Sequence, residues 1–193
     1  MPIVGSFAGA SARAYGASAG VLIGDFESIQ TLTAGVSGSA SFDFTSIPQT
    51  YSHLQLRGIA RDNTAGTTFD DIKVTLNNDS GSNYARHYLG GSGNGFAFSS
   101  NVTSATYIAG LLVKGANTAS VFSGNIIDIL DYTNTNKNTT VRYITGADRN
   151  GAGEVIFYSG VWLNTSAVTR ITLTPNAGSF AQYSSFSLYG VKA

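Results

Sequence analysis

From Phe26 onward the chain alternates apolar and polar residues in short runs broken by turn residues. Tyr51–Ala60 is the clearest run. Leu54 and Leu56 point one way, and His53, Gln55 and Arg57 point the other, which is the period of a half-buried strand. Phe26–Thr33 reads as a strand before it, and so does Ala40–Thr45, with Phe42 and Phe44 on one face. Asp71–Leu76 aligns Ile72, Val74 and Leu76 in the same manner. Tyr84–Leu89, Thr106–Val113, Phe122–Tyr132, Thr140–Gly146, Glu154–Leu163, Val168–Thr174 and Phe180–Tyr189 bring the set to roughly nine to eleven strands. The adjacent Ile126 and Ile127 predict that the Phe122–Tyr132 strand is buried on both faces. Ile47-Pro48 reads as extended chain or a turn. Asn77–Gly81 and Thr133–Asn138 are turn sequences, and Gly90–Gly95 reads as a flexible loop. No segment has a helical period, and no repeat of fixed length is visible. The expected fold is all-β: an antiparallel two-sheet β-sandwich of jelly-roll type over residues 26–193.

Residues 1–25 have a different character. They are mostly Gly, Ala and Ser, and up to residue 24 the only charged side chain is Arg13. Such a stretch has too little apolar surface to offset an ordering cost of roughly 1–2 kcal/mol per residue. It fits a secretory signal poorly, because a basic start is missing, Arg13 interrupts the middle, and the apolar run Val21–Ile23 is short. An extended docking arm fits better, anchored by Ile3, Val4, Phe7, Arg13 and Tyr15. Small residues let backbones approach closely, and an extended arm can add a strand to a partner's sheet edge.

Composition narrows the function classes. Of 193 residues 11% are charged, and the net charge is zero. That argues against an electrostatic grip on nucleic acid and against a polybasic membrane patch. It gives little colloidal repulsion and favours association. Glu and Lys together number six, too few for a chain rich in surface helix. Gly, Ser, Thr and Asn make up about two-fifths of the residues, which suits turns and polar strand faces. There is no Cys, so disulfides, thiolate metal sites and Cys nucleophiles are excluded. No apolar run approaches the ~20 residues of a membrane-spanning helix.

The candidate chemistry is thin. His53 and His87 are the only histidines, and their spacing is not that of a zinc site. Asp128 and Asp131, three apart on a strand, point to opposite faces and cannot work as a paired acid and base. Asp128 is expected to cap a backbone or pair with an Arg such as Arg142. Asp70, Asp71 and Asp79, with Asn77, Asn78 and Asn83, could supply oxygens to Ca²⁺, but the EF-hand spacing is missing and Asx turns explain them equally. Gly90–Gly95 lacks the Lys-Ser/Thr and the helix of a phosphate loop. Asn-X-Ser/Thr triplets at Asn78, Asn101, Asn138 and Asn164 are unremarkable in so Asn- and Thr-rich a chain. A GxSxG string occurs once, as Gly16-Ala17-Ser18-Ala19-Gly20 in the Gly/Ala/Ser-rich stretch, and no Ser has an evident His–Asp partnership. Tyr143, Tyr158 and Trp162 could form an aromatic platform for a sugar, or simply pack the core. The expectation is a protein without catalytic, metal or cofactor residues.

Several segments carry a family resemblance. Phe26-Glu27-Ser28-Ile29 leads to Ser46-Ile47-Pro48-Gln49-Thr50-Tyr51-Ser52-His53-Leu54-Gln55-Leu56-Arg57-Gly58. Then come Gly81-Ser82-Asn83-Tyr84 and Ile127-Asp128-Ile129-Leu130-Asp131-Tyr132-Thr133-Asn134-Thr135-Asn136-Lys137, and the chain closes with Gln182–Lys192. Residues 26–193 resemble a group of virion structural proteins of tailed bacteriophages, especially those of marine and freshwater hosts. The resemblance implies a particle component and carries over no catalytic residue. It leads to the expectation of a non-enzymatic virion protein, a capsid decoration or cement protein anchored by its arm. Its partners would be copies of itself, with a homotrimer favoured, and major capsid or tail proteins. The alternative is a tail-fibre or tail-tip module that binds host-surface glycans. A glycan-cleaving enzyme would need two carboxylates about 5–10 Å apart in a groove; with two Glu in the chain, that class is disfavoured.

Overall fold

The computed structural model describes residues 25–66, 69–115 and 119–192. Residues 1–24, which include Ile3, Val4, Phe7, Arg13 and Tyr15, lie outside the described residues. Among the described residues twelve strands follow one another: β1 (Phe26–Thr33), β2 (Phe42–Phe44), β3 (His53–Ala60), β4 (Phe69–Leu76), β5 (Tyr84–Ser92), β6 (Ala97–Ala105), β7 (Ile108–Val113), β8 (Ser123–Leu130), β9 (Thr139–Asp148), β10 (Gly153–Trp162), β11 (Ile171–Pro175) and β12 (Ser185–Val191). They form an antiparallel sandwich. The large sheet runs β1-β12-β3-β8-β9-β10-β5-β6, and the small sheet runs β2-β11-β4-β7. The chain changes sheet at almost every connection. Its three exceptions are β5–β6, β8–β9 and β9–β10, and the two hairpins β5–β6 and β9–β10 extend the large sheet beyond β8.

The core between the sheets is the inward half of each alternating pattern. Leu54 and Leu56 of β3 meet Phe42, Phe44, Ile72, Val74 and Leu76 of the small sheet, all buried. Phe42 stacks on Phe180 with ring centroids 4.7 Å apart, and Phe186 closes the same group. At Gly110 of β7 a Cβ would overlap the Tyr143 ring, so glycine lets the small sheet settle against β9. The Tyr143 hydroxyl donates to Asn125 Oδ1 at 2.7 Å, and Thr145 Oγ1 donates to the same oxygen at 2.8 Å. This buried polar cluster is satisfied from within, as a low-dielectric core requires.

Several sequence expectations are corrected. β8 is not buried on both faces: Ile127 and Ile129 point into the core, while Ile126 is 40% exposed. The small sheet covers one face of the large one and leaves the other open. Gly90–Gly95 is not a loop throughout. β5 runs on to Ser92, and Gly95 (φ 82°) makes the turn into β6. β6 was not foreseen because its residues, AFSSNVTSA, bury little apolar surface. β11 and β12 start later than the pattern implies. Val168 and Phe180 are buried, but they sit in connections, where Phe180 bridges Ser39 and Asp62.

Candidate functional site

Among the described residues, the two extra hairpins create a cleft with the character of a binding site. β7, the edge of the small sheet, lies against β9 and β10. β5 and β6 therefore overhang that edge. Between the overhang and β4–β7 is a cleft of about 430 Å³, within the size range of small-ligand pockets. Tyr88 of β5 and Phe98 of β6, both half-buried, line it beside Tyr158 of β10. The Tyr88 and Tyr158 rings are 5.3 Å apart, and Phe98 meets Tyr88 edge-on at 6.5 Å.

The polar lining comes from Asp70, Asp71, Arg86 and Glu154. The Arg86 Nη1 donates to the Tyr107 carbonyl at 2.9 Å, and its guanidinium lies 5.2 Å from the Tyr107 ring centre. The Tyr107 hydroxyl donates to Asp71 Oδ2 at 3.3 Å. Burial raises the Asp71 carboxyl above its ordinary range, outweighing the lowering by the Arg86 charge. Asp70 Oδ1 accepts from the Asp71 amide at 2.8 Å and from Asn176 Nδ2 at 3.0 Å. Asp70 Oδ2 and Arg86 Nε are buried without a partner. A buried donor and a buried acceptor left open in one cleft cost free energy unless something satisfies them. A ligand bearing several hydroxyls offers both halves of such bonds, and aromatic rings offer it an apolar face.

Of the residues singled out in the sequence, Asp70, Asp71 and Tyr158 line this cleft and the others fall elsewhere. Tyr143, Tyr158 and Trp162 are 0%, 5% and 1% exposed, so they do not form an aromatic platform. Trp162 donates from Nε1 to Asp79 Oδ2 at 2.7 Å, and Tyr143 belongs to the Asn125 cluster. Asp79 also accepts from the Gly81 amide and from Asn83 Nδ2, both at 2.9 Å. It therefore acts as a turn-stabilising side chain. These bonds, that from Trp162 first, hold its carboxyl below the ordinary range. Asn77 Oδ1 accepts from the amides of Thr169 and Arg170. Among the described residues no group of three or more His, Asp or Glu is placed to hold a metal ion.

Asp128 pairs with Arg142 at 3.5 Å, directly across the β8–β9 register, as expected, and also accepts from Gln55 Nε2 at 2.6 Å. Asp131 lies past the end of β8 with φ 49°, so a turn rather than strand alternation separates it from Asp128. It pairs with Lys137, and its amide donates to His53 Nδ1 at 2.9 Å. His87 is exposed on the outer face of β5. The cleft residues Arg86, Tyr88 and Phe98 went unnoticed in sequence. Their only signal is the alternation of Arg86 and Tyr88 with His87, which reads equally as a surface strand.

The outer face of the large sheet is the second notable surface. Across the register Ile126 faces Ile144, Ile144 faces Phe157, and Phe157 faces Leu89. Ile126, Ile144 and Leu89 are 40%, 49% and 60% exposed. Val155 (63%) and Ile59 (46%) lie in the next row. A neighbouring polar row, Gln55, Asp128, Arg142, Ser159 and His87, bounds this band.

Comparison with protein-family models, with curated proteins and with solved structures gives no match.

Proposed function

We propose that this chain is a non-enzymatic structural component of a tailed-bacteriophage virion, of the capsid decoration or cement type. The observation that carries the reading is the strand order. With the hairpins β5–β6 and β9–β10 set aside, β1-β12-β3-β8 opposes β2-β11-β4-β7. We read this as an eight-stranded jelly roll with two inserted hairpins. Jelly rolls recur in viral capsid and lectin domains, so the support is by analogy of fold and joins the sequence resemblance over residues 26–193. The apolar band on the outer face adds a second support. Exposed apolar rows with a polar border mark contact surfaces, and subunits of a particle need one. Residues 1–24 serve as the docking arm. The test is mass spectrometry of purified phage particles encoding this chain. Recovery of the protein at a copy number set by capsid symmetry is the expected result; its presence only among free lysate proteins would overturn the reading.

The cleft favours a second reading, a tail-fibre or tail-tip module for host-surface glycans. Tyr88 and Phe98 would stack on a sugar ring, and Asp70, Asp71 and Arg86 would exchange hydrogen bonds with its hydroxyls. An array of bacterial surface polysaccharides decides this. Binding that disappears in Tyr88→Ala, with the melting temperature little changed, supports the module. Silence of the native protein on the array rejects it.

A further inference from the structure

Four strands end the two sheets: β1 and β6 in the large one, β2 and β7 in the small one. A bare strand edge is a template for pairing with another chain, and proteins usually blunt it. Three of the four are blunted here. β2 has three residues, and β7 is buried along its whole length. β1 carries Glu27 and a register shift between Ser28 and Gln30. β6 is blunted only at its C-terminal end, where its register against β5 shifts between Val102 and Ala105 and Ser104 has φ 54°. It is nine residues long, Ala97–Ala105, with neither charge nor Pro. Its register against β5 is regular from Ala97 to Val102. Among the described residues no strand pairs with its outer edge.

The surface leading to that edge is apolar. The row Ile126, Ile144, Phe157, Leu89 crosses four strands and ends at Ser99 on β6. At the opposite edge of the same sheet, residues 1–24 lead directly into β1. We propose that residues 3–15 of a second copy of this chain pair as an added strand with the outer edge of β6. The inference rests on the reading of the protein as an assembly subunit. In an extended strand Ile3, Phe7, Arg13 and Tyr15 share one face, because all four positions are odd. One of Ile3 and Phe7 would continue the apolar row past Ser99, with the other on the same face four residues along the strand. Gly5, Ser6 and the small residues 8–12 let the added backbone approach. The donor is a second copy for a geometric reason. Within one copy the arm would have to cross seven strand spacings, about 34 Å, to reach β6. Between copies set side by side, the β1 edge of one lies next to the β6 edge of the other. Such a contact is heterologous and closes into a ring when the rotation allows.

The absence of Cys makes disulfide trapping direct. Single cysteines at Ile3, Gly5 or Phe7 are paired with single cysteines at Ser99 or Asn101 in the full-length chain. Copies carrying an arm Cys are mixed with copies carrying a β6 Cys and mildly oxidised. The expected product is a dimer containing one of each. Hydrogen exchange gives an independent readout. Deleting residues 2–24 should speed exchange of the Ala97–Val102 amides by about tenfold or more while the core amides keep their protection. Dimers from a β6 Cys alone would mean β6–β6 pairing and overturn the proposal. An intramolecular disulfide in a chain with both cysteines would mean the arm folds back, and would also overturn it. No cross-link from an assembly that light scattering shows to be multimeric would reject the edge and spare the assembly reading. Monomers under every condition would reject both.

Discussion

Asp79 shows how one side chain organises a corner of this fold. It receives the indole N–H of Trp162, the Gly81 amide and Asn83. Its carboxyl is held below the ordinary range, chiefly by the Trp162 bond. A lowered folded-state value means that the stabilisation is present above the ordinary carboxylate range and is lost as pH falls through the folded value. Trp162 is the single Trp, so its fluorescence reports this corner alone. Asp79→Ala leaves the indole N–H buried without a partner and should cost about 1–3 kcal/mol in denaturant unfolding at pH 7. The cost should shrink in acid, where the native carboxyl is protonated. Asp71 has the opposite sign. Burial raises its carboxyl, so its contribution is most favourable below the ordinary range and is lost as pH rises through the folded value. Asp71→Asn should therefore melt higher than the native protein at pH 7, with the gain absent near pH 3. Thermal scans at the two pH values check this. Tyr84, whose hydroxyl donates to the Asp79 carbonyl at 3.0 Å, has its pKa pushed up to about 12, mainly by burial. It stays protonated throughout that range.

At the scale of elements, β7 against β9 is the tightest contact between the sheets. Gly110→Ala would drive a methyl group into the Tyr143 ring. Overpacking of this kind costs about 1–3 kcal/mol. Urea unfolding should show that loss with an unchanged m-value. The strand pattern was legible wherever one face is buried. Leu54 and Leu56, Ile72 with Val74 and Leu76, and Phe42 with Phe44 all point inward as their alternation implies. It failed where burial does not discipline the sequence. β6 carries no regular apolar alternation because it overhangs the small sheet. Ile126 looked like core because its neighbour Ile127 is core, and a one-residue difference in a strand changes faces.

At the scale of the molecule, the hairpins β5–β6 and β9–β10 place every surface of interest. They extend the large sheet, form the cleft over β7, widen the outer apolar band and expose the β6 edge. If that band is a contact surface, Ile144→Lys should leave the fold within about 0.5 kcal/mol of native stability, since the side chain is half exposed. It should nonetheless weaken self-association measured by analytical ultracentrifugation. Deleting residues 2–24 should leave the sandwich's melting temperature intact and remove the protein from particles. Unchanged incorporation would sink the arm reading.

The sequence by itself determined the all-β class, the inward faces of most strands and the contrast between residues 1–24 and the rest. Those follow from local alternation and composition, which need no partner strand to be read. Only the tertiary structure decided which strands are neighbours. Pairing β10 with β5, about 70 residues apart in sequence, sets Tyr158 opposite Tyr88 and puts Arg86 and Glu154 in the lining of one cleft. The packing of the two sheets buries Tyr143 and Trp162, which composition alone left free to be a binding platform. Side-chain alternation fixes which way a residue points, but not whether another sheet lies there.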